Sequence, residues 1–291
     1  MASYQSAVGA NMKQLQGKVA AITGAGSGIG QALSIELAKL GCEVALSDKN
    51  EAGLRETATQ VQATGIKCTT CVLDVADRAA VYAWADQVVA DHGRVNLIFN
   101  NAGVALSETV ESMGYDNFEW LMNINFWGVV YGTKAFLPYL KQAGEGHVIN
   151  VSSVFGMIGV PTQSAYNAAK FAVKGFTESL REEMQIEGAN VAVSCVHPGG
   201  IKTNIVRSGR IGEVGKAGTS DRNKMVKMFD KAARTTPAEA AHTIIRGVLK
   251  NKPRILIGAD AHVIDSVQRL LPTKYQDILV WGATRNHNKH N

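Results

Sequence analysis

Short, almost continuously apolar runs recur along this chain, and between them apolar residues return every three or four positions. Lys18–Thr23, Cys42–Asp48, Lys67–Val75, Asn96–Asn100, His147–Ser152, Asn190–Val196 and Arg254–Gly258 read as strands. A run without polar alternation is expected of a strand covered on both faces. The stretches between read as helices over about 50–64, 77–91, 115–141, 162–187 and 237–250. A further helix follows the first strand, where Ile29, Leu33 and Leu37 share one face and Gly41 ends it. Seven buried strands separated by helices predict an α/β, doubly wound parallel sheet in a single domain over 16–259. A flexible segment is expected over 1–15. A C-terminal helical extension with a polar tail is expected over 260–291.

Composition adds limits. Hydrophobic residues make up 46% and charged residues 19% of 291 residues, ordinary for a large buried core. The net charge of +5 comes without a lysine/arginine block or zinc-finger spacing, which argues against nucleic-acid binding. Met1 to Gly17 lack the apolar core that secretion needs, and no run reaches the roughly 18 apolar residues of a membrane span. The expectation is a cytoplasmic protein without stable membrane association. Cys68 and Cys71 form a Cys-x-x-Cys in a strand-like stretch. Residues three apart on a strand face opposite ways, so they read as buried thiols and not as a disulfide. The tail histidines His287 and His290 lack a scaffold, so no metal site is expected.

Candidate chemistry stands at the strand ends. Thr23-Gly-Ala-Gly-Ser-Gly-Ile-Gly30 lies where the first strand gives way to a helix. Gly24, Ser27, Gly28, Ile29 and Gly30 could bring backbone amides and a helix N-terminus to a pyrophosphate. The strict dinucleotide spacing is absent, and Gly24-x-Gly26-x-Gly28 also fits S-adenosylmethionine-dependent methyltransferases, so the turn specifies only a nucleotide-like ligand. Asp48 ends the second strand, where a carboxylate grips ribose hydroxyls and repels a 2′-phosphate. That favours NAD over NADP, although Lys49 could soften the repulsion; a plain helix cap is the competing role for Asp48. Tyr166 and Lys170 are the one Tyr-x3-Lys pair in the chain, with Ser153 thirteen residues upstream. On a helix they share a face, and a cation beside a phenol favours the phenolate.

Together these motifs identify the chain as resembling the short-chain dehydrogenases/reductases over roughly 16–258. The motifs, in order, are Thr23-Gly-x3-Gly-x-Gly30, Asp74 in Leu-Asp-Val, Asn100-Asn-Ala-Gly103, Asn125 in Asn-Phe-Trp-Gly, Ser153, Tyr166-x3-Lys170, and Pro198-Gly-Gly-Ile-Lys-Thr203. The resemblance implies a Rossmann-like fold and an NAD cofactor, with NADP as the alternative. It implies that Tyr166 exchanges a proton with the substrate oxygen and that Ser153 hydrogen-bonds that oxygen. Lys170 would lower the tyrosine pKa and hold the nicotinamide ribose, and Asn125 would anchor a water linking Lys170 to solvent. Asn123 does not fit the Asn-x-x-Gly frame, and the thirteen-residue spacing selects Ser153 over Ser152. Asp74, with Val75 beside it, would take the adenine amino group. Asn101 and Gly103 would support the central strand end, and Pro198, Gly199, Ile201 and Thr203 would meet the nicotinamide. His197 reads as a hydrogen-bonded wall residue.

The segment 202–234, with nine basic and three acidic residues, corresponds to the family's substrate-covering loop. Met225, Met228 and Phe229 there, with Leu106, Val154, Phe155 and Gln163, are the expected substrate pocket, and they predict an apolar substrate. Its lysines are either solvated or attract a phosphorylated substrate such as an acyl-CoA. The expected reaction interconverts an apolar secondary alcohol and a ketone. NADPH-linked reduction of acyl thioesters or β-ketoacyl groups is the enzymatic alternative, and a catalytically silent dinucleotide sensor the alternative of another class. A homodimer through 115–141 and 162–187, or a homotetramer, is expected, although thirty residues beyond the last strand do not suit the family's usual tetramer edge. Val263, Val267, Leu270 and Leu271 form a stripe expected to dock on protein.

Overall fold

A computed structural model describes the backbone of residues 12–288 and the side chains of 12–284. The main sheet is made of β1 (Val19–Thr23), β2 (Glu43–Asp48), β3 (Cys68–Val72), β4 (Leu97–Asn100), β6 (Gly146–Val151), β7 (Val191–Pro198) and β9 (Arg254–Ile257). All pairs are parallel, in the order β3-β2-β1-β4-β6-β7-β9. A second, two-stranded sheet that the periodicity does not announce pairs β5 (Leu106–Ser107) with β8 (Arg210–Ile211). Two residues per strand leave no pattern to detect.

The helices are α1 (Gly28–Lys39), α2 (Glu51–Gln62), α3 (Arg78–His92), α4 (Tyr115–Met122), α5 (Gly128–Gln142), α6 (Ser164–Ile186), α7 (Arg222–Ala232), α8 (Pro237–Leu249), α9 (Ala259–Leu270) and α10 (Tyr275–Asn288). Their starts follow local chemistry. Asn50 and Asp77 accept from the N–H of Gly53 and Ala80, and Thr236 and Glu239 cap each other's backbone ahead of Pro237. Two separate cores cover the two faces of the sheet. Ile22, Leu46 and Phe99 face one, with α1 and α8; Ala21, Ile98 and Val148 face the other, with α3 and α5. Adjacent strand residues thus go to opposite cores, which is why the strands read as continuous apolar runs. Each fully buried side chain of this size contributes about 1.5–3 kcal/mol.

The strand order reverses between β1 and β4, so the connections leave in opposite directions and a crevice opens at the carboxyl ends of those strands. Thr23, Asn100 and Val151 end their strands there.

Three expectations change. Of the segment 1–15, residues 1–11 lie outside the described residues; at 12–15 the chain is not loose, because Met12 and Leu15 are buried in the core beside α1. Cys68 and Cys71 are free thiols, but half-buried, because β3 is an edge strand with only one neighbour. In the extension it is Ala261 and Ile264 that pack inward, while Val263 and Leu270 are 61% and 79% exposed. The inward face of α9 is set by the ion pair of Asp265 with Arg254 at 2.7 Å, a rotation that hydrophobicity alone does not reveal. The tail residues 289–291, with His290, lie outside the described residues.

Candidate active site

The turn after β1 is fastened by its neighbours. Asn101 Nδ2 donates to the carbonyls of Thr23 (2.9 Å) and Gly24 (3.2 Å), and Thr23 Oγ1 accepts from the N–H of Asn101 and Ala102, both at 3.0 Å. Asn101 is therefore spent on the turn. Gly24 sits at φ +66°, and a Cβ on Gly30 would fall 2.1 Å from the Gly24 carbonyl oxygen, so no larger residue fits at either place. Gly28, Ile29 and Gly30 open α1 with Ser27 before them. Ser27 makes no side-chain cap and no acidic residue stands in the first turn, which leaves the positive helix end facing the crevice.

Asp48 aims at this turn. Its Oδ2 accepts from Gly26 N–H and its Oδ1 from Asn50 N–H, both at 2.8 Å. The helix cap is Asn50, so the competing role for Asp48 falls away. Lys49, next to it, is 2.6 Å from Asp74 Oδ2, and Ala76 N–H reaches Asp74 Oδ1. Burial pushes the Asp74 carboxyl up, but Lys49 and Ala76 outweigh it and hold it below the usual range. Val75 is buried beside Gly128.

On the other side of the crevice the phenol, serine and lysine meet. Tyr166 and Lys170 lie one turn apart on α6; Tyr166 is half-buried, and its hydroxyl lies on the side of Ser153. Lys170 Nζ lies 5.6 Å from the centre of the Tyr166 ring and donates to the Val151 carbonyl at 2.9 Å. The expected lowering of the tyrosine pKa by this lysine does not appear. Burial pushes Tyr166 up to about 12 against the opposing bond from Ser153, and the same burial pulls Lys170 down to about 8. The ammonium faces the ring and spends a hydrogen bond on Val151, away from the hydroxyl.

Asn125 is fully buried and Asn123 is exposed. The helix widens into a π turn over Asn123–Trp127, a distortion common at functional sites. Asn125 accepts from Val104 N–H (2.8 Å) and donates to Val104 O (2.9 Å), so its amide fixes the irregular segment after β4. A Cβ on Gly103 would lie 3.3 Å from Asn125 Oδ1 and 3.6 Å from Lys170 Nζ, which brings these groups together at one wall.

His197 is the wall residue expected. Its Nδ1 is 3.0 Å from the Ser153 carbonyl, an oxygen that can only accept, so Nδ1 carries the proton. Burial pulls its pKa down to about 4, so the ring is neutral. Pro198 ends β7, Gly199 follows, Ile201 is buried and Thr203 faces Gly28.

The substrate side is mixed. Leu106 and Val154 are buried, Phe155 meets the Tyr166 ring edge-on at 6.2 Å, and Gln163 is half-buried just before α6. On α7, Met225 and Phe229 are half-buried with Val226, while Met228 is 60% exposed and leaves the expected face. The inward stripe centres on 225, 226 and 229, and Met228 falls beside it. Lys224, Lys227 and Lys231 are exposed.

The family model described as short chain dehydrogenase matches residues 18–213. The chain belongs to this family. The dehydrogenase is 45% identical to SadH of Mycobacterium tuberculosis over 94% of this chain and 98% of SadH. It is 30% identical to human estradiol 17-beta-dehydrogenase 11 over 92% of this chain and 83% of that one. A crystal structure of a family member from Burkholderia phymatum in complex with NAD superimposes with a TM-score of 0.80 at 28% identity, covering 92% of this chain and 96% of that one.

Three residues that shape this dehydrogenase's site escaped the sequence reading. Asn167, next to Tyr166, donates to the carbonyls of Phe155 (2.7 Å) and Ile158 (2.8 Å) and accepts from Val160 N–H (3.0 Å), pinning the loop after Ser153. Asp260 accepts from Gly200 N–H at 2.6 Å, and Tyr275 OH accepts from Gly159 N–H at 3.1 Å. Asn167 carried a weak signal, as a polar residue on the buried face of α6. The other two carried none, because their partners lie 60 and 116 positions away.

Proposed function

We propose that this short-chain dehydrogenase interconverts an apolar secondary alcohol and the corresponding ketone, with NAD(H) as its cofactor. The observation that carries the reading is the Tyr166 hydroxyl beside Ser153, with Lys170 5.6 Å from the Tyr166 ring, across one crevice from an uncapped glycine turn. A dinucleotide fits these residues. Gly24 and Ser27–Gly30 would hold its pyrophosphate, Asp48 the adenosine ribose, Asp74 and Val75 the adenine, with Asn101 and Gly103 bracing the crevice. Lys170, Tyr166, Pro198, Gly199, Ile201 and Thr203 would take the nicotinamide half. When bound, the nicotinamide supplies the two-electron chemistry that side chains lack.

The protein's own part is proton handling and orientation. In the reductive direction Tyr166 Oη gives its proton to the substrate oxygen while Ser153 Oγ hydrogen-bonds the same oxygen; in the oxidative direction Oη takes the proton back. His197 holds the Ser153 carbonyl, and so the direction of Ser153. Asp48 directs a carboxylate to the ribose edge, and Lys49 is engaged by Asp74, which leaves little to offset repulsion of a 2′-phosphate. That supports NAD over NADP. Phe155, Val154 and Leu106 support an apolar substrate. Exposed aromatics Trp127 and Phe171, on the π turn and α6, support the helix-paired homodimer.

A screen of secondary alcohols and ketones with both cofactors tests the reading. We expect turnover with NAD(H) on apolar substrates. No turnover on any of them, or a kcat/KM preference for NADP(H), would overturn it.

A further inference from the structure

Ser153 is held by its carbonyl as well as by its side chain. The carbonyl accepts from Gly156 N–H at 3.0 Å, inside the 3-10 turn Val154–Gly156, and from His197 Nδ1–H at 3.0 Å, out of β7. Ser153 Oγ accepts from Phe155 N–H at 3.1 Å, which leaves its own hydrogen to donate. The turn closes on itself, so its place in the crevice is set by ties from outside. From α6 the tie is Asn167. From the sheet it is His197 and, near it, Arg254.

The strand β9 carries Ile255, Leu256 and Ile257, yet it opens on Arg254. Arg254 stands opposite Cys195, two residues before His197, so Arg254 and His197 share one face of the sheet on neighbouring strands. Arg254 Nη2 donates to Met157 Sδ at 2.8 Å, just past the Ser153 turn, and meets Asp265 Oδ1 of α9 at 2.7 Å. The two charged side chains are largely withdrawn from water, 23% and 16% exposed. Arg254 Nε, a donor, and His197 Nε2, an acceptor, are buried without a hydrogen-bond partner among the described residues.

Such an arrangement adds little stability. Withdrawing an ion pair from water costs much of what the pairing returns, and each bare buried polar atom adds to the cost. A leucine at 254 would serve the surrounding core of Met157, Leu256, Ala261 and Ile264 at least as well. What a leucine could not do is grip two separate segments at once, the Ser153 turn and α9.

We infer that Arg254 is a positioning residue for Ser153: anchored by Asp265, its guanidinium fixes Met157 and borders His197, and through both it sets the turn that aims the Ser153 hydroxyl. The charge of Arg254 also adds to burial in keeping the His197 ring neutral against the bond to Ser153, so the single ring proton stays on Nδ1, where the Ser153 carbonyl accepts it. The helix α9 thereby acts on the reaction without touching substrate. The inference rests on the proposed role of Ser153 at the reacting oxygen.

The test is a double-mutant cycle on the full chain, with kcat read on the best alcohol of the screen and NADH affinity read by fluorescence. Arg254→Met should lower kcat about tenfold, the effect of a small misplacement at the reacting atoms, while NADH affinity stays within about twofold of wild type. Arg254→Lys, which keeps a cation on Asp265, should recover most of the loss. In a Ser153→Ala background Arg254→Met should lower kcat by less than about twofold, because the group it positions is gone. Asp265→Asn should repeat the pattern at about threefold, and it serves where Arg254→Met does not fold. A second readout needs no substrate: hydrogen exchange of peptides spanning 153–158 should quicken in Arg254→Met and in Asp265→Asn, with the turn at 24–30 unchanged. A loss of kcat that persists undiminished in the Ser153→Ala background, or wild-type kcat in both Arg254→Met and Asp265→Asn, would overturn the inference. If no alcohol turns over, exchange decides. Quickening confined to 153–158 keeps the positioning role while the alcohol reading falls, and unchanged exchange overturns the positioning role as well.

Discussion

The turn after β1 and the outer layer formed by 202–234 with α9 and α10 are held differently. The turn is fastened from two neighbouring strands: Asn101 after β4 takes Thr23 and Gly24, while Ser47 and Asp48 of β2 take the N–H groups of Ala25 and Gly26. The outer layer is tied by the pairing of β8 with β5 and by scattered polar contacts, Arg210 to Asn117, Asp260 to Gly200, Tyr275 to Gly159 and Asp265 to Arg254, and it leaves Val263, Leu270, Ile278 and Val280 exposed. A segment with few buried contacts opens at low free-energy cost. The difference teaches that the turn is built to a fixed shape and the outer layer to be adjusted.

The sharpest way to break this division is at the proton-bearing group. Tyr166→Phe keeps the ring and removes the hydroxyl, so kcat should fall by about 10²–10⁴-fold. Titration calorimetry should show that NAD still binds, since the turn after β1 is untouched. A variant retaining more than a tenth of wild-type kcat would mean the hydroxyl is not the proton donor.

Next is the fixed side. Asp48→Ala with Ser27→Arg removes a carboxylate and supplies a guanidinium for a 2′-phosphate. The ratio of kcat/KM for NAD to that for NADP should fall by about tenfold or more, equal to about 1.4 kcal/mol. Because Asp48 also accepts from Gly26, KM for NAD should rise. A ratio that does not move would place cofactor choice elsewhere.

Lys170 separates function from stability. Its pKa is about 8 in the folded protein against 10.5 ordinarily, so burying the charged form costs stability. The cost is full below pH 8, fades as pH rises from 8 to 10.5, and is absent above it. It amounts to about 3 kcal/mol at pH 7, less the lost bond to Val151. Lys170→Met should therefore abolish turnover, and its Tm relative to wild type should decline steadily between pH 8 and 10. A Tm difference independent of pH would show that the lysine is not buried in its charged form.

The smallest effect tests the adjustable side. Asp260→Ala frees Gly200 N–H and should raise KM for NAD a fewfold with little change in kcat, whereas Asp260→Asn, which keeps an acceptor oxygen, should recover most of the loss. Equal behaviour of the two variants would show that α9 does not position the turn after β7.

Much of this was legible along the chain, and for identifiable reasons. Strands buried on both faces must be apolar throughout, so the main sheet is written in runs such as Val19–Thr23 and His147–Val151. The chemistry of the crevice is also local. Tyr166, Lys170, Ser153 and the glycine turn lie at strand ends or one helical turn apart, and the spacing that carries a motif is the spacing that builds its geometry. What the tertiary structure alone decided involves partners far apart in sequence. The raised pKa of Tyr166 follows from desolvation by the surrounding fold, with Lys170 turned toward Val151, and neither is a property of the Tyr-x3-Lys spacing. The inward face of α9 was chosen by Arg254 pairing with Asp265 and not by the most apolar stripe. Tyr275 reaches Gly159 across 116 positions, a contact no periodicity encodes. Local sequence sets which backbone a segment adopts and which groups it carries. Burial, and with it the strength of every charge and hydrogen bond, is set only when distant segments pack together and exclude water.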